Sequence, residues 1–341
     1  TFVFFKAFGL NTYSYTLIGL LFGIIGIQFM FLLSRNLFGR RIAFLSSLLL
    51  ATSPIFIVNS IFSLMDYLLA VLILISLYFY TTKRYLVYTI TTSFIILTKE
   101  TGIIFPIAII MIEILFGIYQ AFKRSFRLTH LINFIYFSVP FVSYYAWIFY
   151  LNLKNQTPWN DWNFSETANK GGVYTVINNL LTGEFLNKYT YQHWLQFFVL
   201  NFNWIYWICI IFSGLFVLWF FKDYKKTITT FFSKPQETKT VLVIILFFLA
   251  YLFTVLTFQT WTIPRYSLPI IPLFLILLSV SINVFRKFRY THAIIIIFVS
   301  TITVLQLLTS IDPVSKKLWG KTHVLNENLY ALNEHLGGND A

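Results

Sequence analysis

Charge is scarce in this chain of 341 residues: Asp, Glu, Lys and Arg together make 11% of it, against about a quarter in a water-soluble domain. That shortage excludes an ordinary soluble enzyme, a disordered tail and a nucleic-acid-binding module. Cysteine is nearly absent. Cys209 stands alone in an apolar run, so no disulfide framework can form within the chain and the redox compartment cannot be read. No spacing of His, Cys and carboxylates matches a structural or hydrolytic metal site. Gly171-Gly172 is not followed by the Gly-Lys-Ser/Thr of a phosphate-binding loop, and there is no Asp-x-Asp pair to hold a metal against a nucleotide sugar. The residues therefore name no cofactor, and a divalent cation stays open.

What is abundant is apolar surface, at 58% of residues with a mean hydropathy of +0.74. A hydrocarbon core of about 30 Å takes roughly 20 helical residues. Runs of that kind lie at 14–33, 42–59, 66–81, 85–98, 102–119, 131–151, 198–221, 240–258, 266–284 and 291–309. They are apolar on all faces and do not alternate, which fits helices and not barrel strands. The expected fold is all-α, a polytopic transmembrane helix bundle of about ten spans, give or take one. The expected organisation is an N-terminal membrane part over 1–151, a loop over 152–197, a C-terminal membrane part over 198–309 and the start of a tail or domain over 310–341.

The net charge of +13 is not a nucleic-acid patch, because the basic residues fall in short clusters between apolar runs. Sixteen of the 25 lie in alternate turns: Arg35, Arg40 and Arg41; Lys83 and Arg84; Lys123, Arg124 and Arg127; Lys222, Lys225, Lys226, Lys234 and Lys239; Arg286, Lys287 and Arg289. By the positive-inside rule that face is cytoplasmic. Both chain ends then fall outside, an arrangement that implies a further span ahead of Thr1. The hydrophilic stretch 152–197 is also outside, with the acceptor patterns Asn155-Gln156-Thr157 and Asn163-Phe164-Ser165. Tyrosines and tryptophans between Tyr189 and Trp207 have two readings, an interfacial aromatic belt or a sugar-stacking platform.

The chemistry-bearing residues sit at the outer ends of spans. Asp66 lies in Ser63-Leu64-Met65-Asp66-Tyr67, Lys99 and Glu100 in Leu97-Thr98-Lys99-Glu100-Thr101-Gly102, and Arg265 in Thr262-Ile263-Pro264-Arg265-Tyr266. Three turns distant in sequence thus bring Asp, Lys-Glu and Arg to one side at similar depth. Each also has a plainer reading. Asp66 can cap a helix, Lys99 and Arg265 can snorkel to headgroups, and Glu100 can pair with Lys99. Glu113, deeper in its span, is expected to be paired structurally, since an ionised group at a helix centre costs roughly 2.5–3.5 kcal/mol. His193, with Trp194 beside it, is the one histidine of the long outer loop; such a residue is more often an ordinary loop residue than a ligand, and a sugar contact is the alternative reading.

At these residues the chain resembles the polyprenyl-phosphate-sugar-dependent glycosyltransferases of the GT-C class, a group that includes protein O-mannosyltransferases and lipid A aminoarabinose transferases. The strings that carry the likeness are Ala7 to Asn11, Arg35 to Arg41, Leu48 to Pro54, the Asp66 turn, Leu97 to Gly102 and Arg265 to Pro272. Each is weak singly; their order and spacing across nearly the whole chain are specific to the superfamily and to no one substrate. The resemblance implies sugar transfer with inversion, on the extracytoplasmic face, from a lipid phosphate to an acceptor hydroxyl on protein, lipid or glycan. It puts Asp66 near acceptor or donor sugar and Lys99 and Arg265, with Tyr266, at the donor phosphate; Glu100 is a further catalytic candidate. It also implies a principal catalytic carboxylate in a first outer loop, just ahead of where this sequence begins. The Ile, Asn and Lys richness points to a prokaryotic plasma membrane. Two other classes stay open: a transporter or lipid flippase, expected to show broken spans with midplane charges, and a non-catalytic scaffold.

Overall fold

The computed structural model describes residues 12–62, 65–122, 128–154, 210–211, 235–257, 264–284, 290, 293–297 and 299–301. Among them there is no strand. The helices are α1 (Thr12–Phe38), α2 (Arg40–Ala51), α3 (Pro54–Phe62), α4 (Met65–Thr81), α5 (Tyr85–Thr98), α6 (Ile104–Phe122), α7 (Leu128–Leu153), α8 (Pro235–Thr257) and α9 (Ile271–Val284). Short 3-10 turns, Glu100–Ile103 and Pro264–Ser267, lead into α6 and towards α9. Among the described residues three stretches are long and apolar enough to cross a membrane, Thr16–Phe38, Thr101–Phe122 and Pro235–Thr254, while Met65–Thr81, Tyr85–Thr98 and Ile271–Asn283 are shorter apolar helices.

Helix is the one open structure that satisfies every backbone group in a lipid-like surrounding, and the side-chain hydroxyls obey the same rule. Ser47 donates to the Ala43 carbonyl, Thr81 to Leu77, Thr89 to Tyr85 and Ser279 to Leu275, each one turn back. The helices end where the sequence supplies a reason. The run expected as one span over 42–59 is two helices, because Pro54 has no N–H to donate to the preceding turn. Ser53 donates to Leu50 and accepts from Ile57, closing α2 and opening α3. At the end of α4, Lys83 takes a left-handed conformation with φ 58°. Its N–H reaches the Tyr80 carbonyl while that of Arg84 reaches Phe79, the paired bonds of a Schellman cap.

Helix α4 is the centre of the bundle. Eleven of its residues are buried, from Asp66 and Tyr67 through Leu74 to Tyr80 and Thr81. Near its start the Tyr67 hydroxyl donates to the Gly19 carbonyl of α1 at 3.1 Å. A Cβ on Gly23 would come within 2.6 Å of that hydroxyl, so a larger residue there would push the Tyr67 hydroxyl off its bond. Mid-helix, Ser76 bonds Thr92 of α5 at 2.6 Å, and at its end Thr81 bonds Thr240 of α8 at 3.1 Å. These contacts fix directions: α1 runs parallel to α4, and α5 and α8 run antiparallel. Arg35, Arg40, Arg41, Lys83 and Arg84 therefore gather at one end of the bundle and Asp66 and Lys99 at the other. At 17 residues α4 is about 25 Å long, and α5 with 14 about 21 Å. A helix sheathed by neighbours need not match the bilayer thickness.

A buried ion pair ties the basic end together. Glu113 of α6, expected to be paired structurally, accepts from Lys239 Nζ at 2.6 Å and from the Tyr80 hydroxyl at 2.6 Å. Both side chains of the pair are 9% exposed. Lys239, grouped above with a charged loop, belongs instead to the second turn of α8, which begins five residues earlier than the apolar run suggested. The polar residues before that run are helical because Lys239 finds its counter-charge inside the bundle and Gln236 donates to the Tyr80 carbonyl. The expected span 198–221 lies outside the described residues except at 210–211, and the span 291–309 except at 293–297 and 299–301; the loop beyond 154 and the tail over 310–341 are also outside.

Removing one partner of a buried pair leaves the other charge desolvated, at a cost of about 3–5 kcal/mol. Glu113→Leu is therefore expected to lower thermal stability strongly, and Glu113→Leu with Lys239→Leu to recover most of the loss. Equal melting temperatures for the single and double variants in detergent would contradict the pairing.

Candidate active site

Three turns converge at the end of the bundle opposite the arginines. Asp66 is the second residue of α4, where a carboxylate also complements the positive end of the helix dipole. Lys99 is the residue at which α5 stops, in extended conformation with φ −157° and ψ 143°. That one extended residue turns its ammonium across to α4, where Nζ lies 2.5 Å from Asp66 Oδ1. The carboxylate is 6% exposed and the ammonium side chain 21%, so the pair is largely withdrawn from solvent. From the third turn, the Tyr266 ring lies under the ammonium, with Nζ 4.1 Å from its centroid. An aromatic face attracts a cation, more so where water is excluded.

The geometry of the Lys99 turn depends on Gly102. Its N–H donates to the Lys99 carbonyl at 2.8 Å, folding the 3-10 turn back onto the last turn of α5. A Cβ at position 102 would lie 2.5 Å from the Ile95 carbonyl oxygen, a backbone atom that cannot swing aside. Thr101 in the same turn neighbours Tyr251 of α8, which is 1% exposed and lies in the electrostatic field of Asp66 and close to Tyr266.

Of the residues expected at a site, Asp66, Lys99 and Tyr266 are brought together. Lys99, for which Glu100 was one expected partner, pairs with Asp66. Glu100 opens the 3-10 turn and Arg265 lies within the second one, both at this end by their backbone; their side chains are outside the described residues, as are His193 and Trp194 altogether. Among the described residues no group of three His, Cys, Asp or Glu is placed to hold a metal ion. Two buried polar groups of this half were not anticipated. One is Tyr251; the other is Asn59 of α3, whose Nδ2 donates to the Ile55 carbonyl at 2.7 Å and whose Oδ1 is buried without a hydrogen bond among the described residues. Both interrupt otherwise apolar spans, and a hydroxyl or amide inside such a span needs a partner in the protein.

Comparison with known proteins bears on the fold and on the N-terminal sequence. Residues 2–147 match the family model described as dolichyl-phosphate-mannose-protein mannosyltransferase. The matched segment contains the first five strings of the resemblance and both members of the ion pair. No curated protein sequence matches the chain at a significant level. Among solved structures, ArnT from Cupriavidus metallidurans bound to undecaprenyl phosphate is similar, with a TM-score of 0.50 and 17% identity over 98% of this chain and 61% of ArnT. ArnT from the same organism in the apo state gives 0.50 and 18% identity over 96% of this chain and 56% of its own. The chain thus spans about three-fifths of the length of the ArnT structures it matches. The fold and the N-terminal sequence both bear out the GT-C-like resemblance.

Gly102→Ala is expected to lower stability by roughly 1–3 kcal/mol, the usual cost of overpacking, with a matching fall in thermal unfolding temperature. An unchanged temperature would mean that the backbone at Ile95 is free to move away.

Proposed function

We propose that the protein is a membrane glycosyltransferase that moves a sugar, with inversion, from a polyprenyl-phosphate-linked donor to an acceptor hydroxyl on the extracytoplasmic side. The observation that carries this reading is the Asp66–Lys99–Tyr266 cluster, a cation held at the end of the bundle away from the basic turns. The family match over residues 2–147 supports the sugar chemistry, and the likeness to ArnT supports the bundle that hosts it.

In such a transfer the acceptor oxygen forms a bond to the anomeric carbon as the bond from that carbon to the phosphate oxygen breaks. The departing lipid phosphate gains negative charge, and a cation already in place stabilises it without reorganisation. Lys99 is suited to this. An ammonium has three N–H donors; Asp66 takes one and Tyr266 covers one face, so donor capacity is left for a phosphate oxygen. Arg265, one residue before Tyr266, adds a second cation in this reading. The proton of the acceptor goes to a carboxylate, and Asp66 is assigned to contact the acceptor or the donor sugar.

The Asp66–Lys99 pair is in this account a resting state. An incoming phosphate competes with Asp66 for the ammonium, and the carboxylate so loosened becomes available to a sugar hydroxyl. Acceptor class stays open among protein, lipid and glycan, and a plasma membrane is the expected location. The break between α2 and α3 is a feature that a transporter reading would also use, since transporters build binding sites from discontinuous helices.

In vesicles supplied with dolichyl- or undecaprenyl-phosphate-linked mannose, wild-type protein is expected to move label onto a membrane or protein acceptor. Asp66→Asn and Lys99→Met are each expected to lower the rate by roughly 10²–10³-fold, the scale on which loss of one electrostatic group is felt. Passage of the labelled lipid sugar across the bilayer with no covalent transfer would overturn the reading in favour of a transporter.

A further inference from the structure

A lateral groove on the bundle belongs neither to the Asp66 cluster nor to the Glu113–Lys239 pair. Its volume is about 780 Å³, and its walls include Arg40, Arg41, Phe44 and Leu48 of α2 and Ser279 and Asn283 of α9. The two helices line it in opposite directions. Helix α2 leaves the basic end, so Arg40 and Arg41 stand at the mouth, and Phe44 and Leu48 follow on one face at a spacing of four. Helix α9 arrives at the same end, so Asn283 faces the level of the arginines and Ser279 lies one turn deeper. From Arg40 to Leu48 the wall runs about 12 Å along the helix axis. Phe44 is 65% exposed and Leu48 44%.

The groove is thus graded along its length, cationic and amide-bearing at the mouth and apolar further in. Among the described residues no carboxylate pairs with Arg40 or Arg41. Helix α2 has no acidic residue in its first turn, and its N-cap, Gly39, makes no side-chain cap bond. Two cations therefore begin a helix whose dipole disfavours them there. A bound anion reverses that penalty. The walls fit a molecule with an anionic head and an apolar chain, standing parallel to the helices in the leaflet at the basic end.

We propose that this groove is a binding site for an anionic phospholipid, its phosphate held by Arg40 and Arg41 beside Asn283 and one acyl chain laid against Phe44 and Leu48. Its head lies at the end of the bundle opposite Lys99, so the site is distinct from the donor-phosphate site proposed above and does not depend on that proposal. General attraction of positively charged turns to an anionic leaflet is shared by every basic residue at this end; Arg40 and Arg41 in addition stand in the wall of a groove.

The test measures retention of phosphatidylglycerol and of phosphatidylcholine with identical acyl chains by the full chain in detergent, using native mass spectrometry. Wild-type protein is expected to prefer phosphatidylglycerol by roughly thirtyfold, the scale of two arginines beside a net negative headgroup. Arg40→Gln with Arg41→Gln is expected to remove the preference, and Arg84→Gln, an exposed cation at the same end, to keep it. Phe44→Ala is expected to weaken both lipids alike. Equal retention of the two lipids by wild type, or a preference that survives in the double variant, would overturn the proposal. So would an equal loss in Arg84→Gln, which signals diffuse charge, or complete displacement of the lipid by excess inorganic phosphate, which signals a free-anion site.

Discussion

A charge inside a bundle of apolar helices must find its partner within the protein. Two buried pairs obey this constraint at opposite ends of α4. At one end Asp66 of α4 takes Lys99, and at the other Tyr80 of α4 donates to the carboxylate that holds Lys239. The helices joined at one end are those that supply the other. Helix α6 brings Glu113 and follows directly on the Lys99 turn; α8 brings Lys239 and, three turns later, Tyr251 beside Asp66. Hydroxyl pairs along α4 complete the fastening. The cluster of three turns is thus a consequence of how α4 is held along its whole length.

That arrangement suits the proposed chemistry because it keeps a cation in place before substrate arrives. An exposed lysine would lose its ordering entropy on each encounter and be screened by water and salt. Lys99 is already ordered by a carboxylate and an aromatic face, and is still about one-fifth exposed. A lipid phosphate is the kind of anion that can reach such a position from the side, with its apolar chain remaining in the bilayer. At the other end of the bundle the proposed lipid would instead bring a counter-charge to Arg40 and Arg41, which no described carboxylate pairs.

Much of this was legible in the sequence. The all-α class followed from uniform apolar runs, and α5 has the expected bounds of 85–98 to the residue, because Lys83-Arg84 and Lys99-Glu100 flank it with charge. Asp66 and Lys99 could be singled out as charges beside apolar runs, but their direct contact could not: it requires Lys99 to be extended and Gly102 to fold the chain back. The break at Pro54 was hidden because Ala51-Thr52-Ser53 sits within an apolar run and proline is tolerated in membrane helices. Lys239 was misplaced for the opposite reason, since a lysine preceded by Lys234, Pro235 and Glu237 looks like loop until its partner 126 residues earlier is known. Tyr251 and Asn59 carried a signal, a polar group within an apolar span, with nothing local to say where it points.

The central claim is that Lys99 is the cation awaiting a lipid phosphate. It is tested most directly by the affinity of purified protein for undecaprenyl phosphate, compared between wild type and Lys99→Gln by titration in detergent. Losing a charge-assisted contact to phosphate is worth about 1.5–3 kcal/mol, so binding is predicted to weaken by at least roughly tenfold when measured below the lowered unfolding temperature that an unpaired buried Asp66 implies. Equal affinity in the two proteins would contradict the claim and leave the Asp66–Lys99 pair as a purely structural latch.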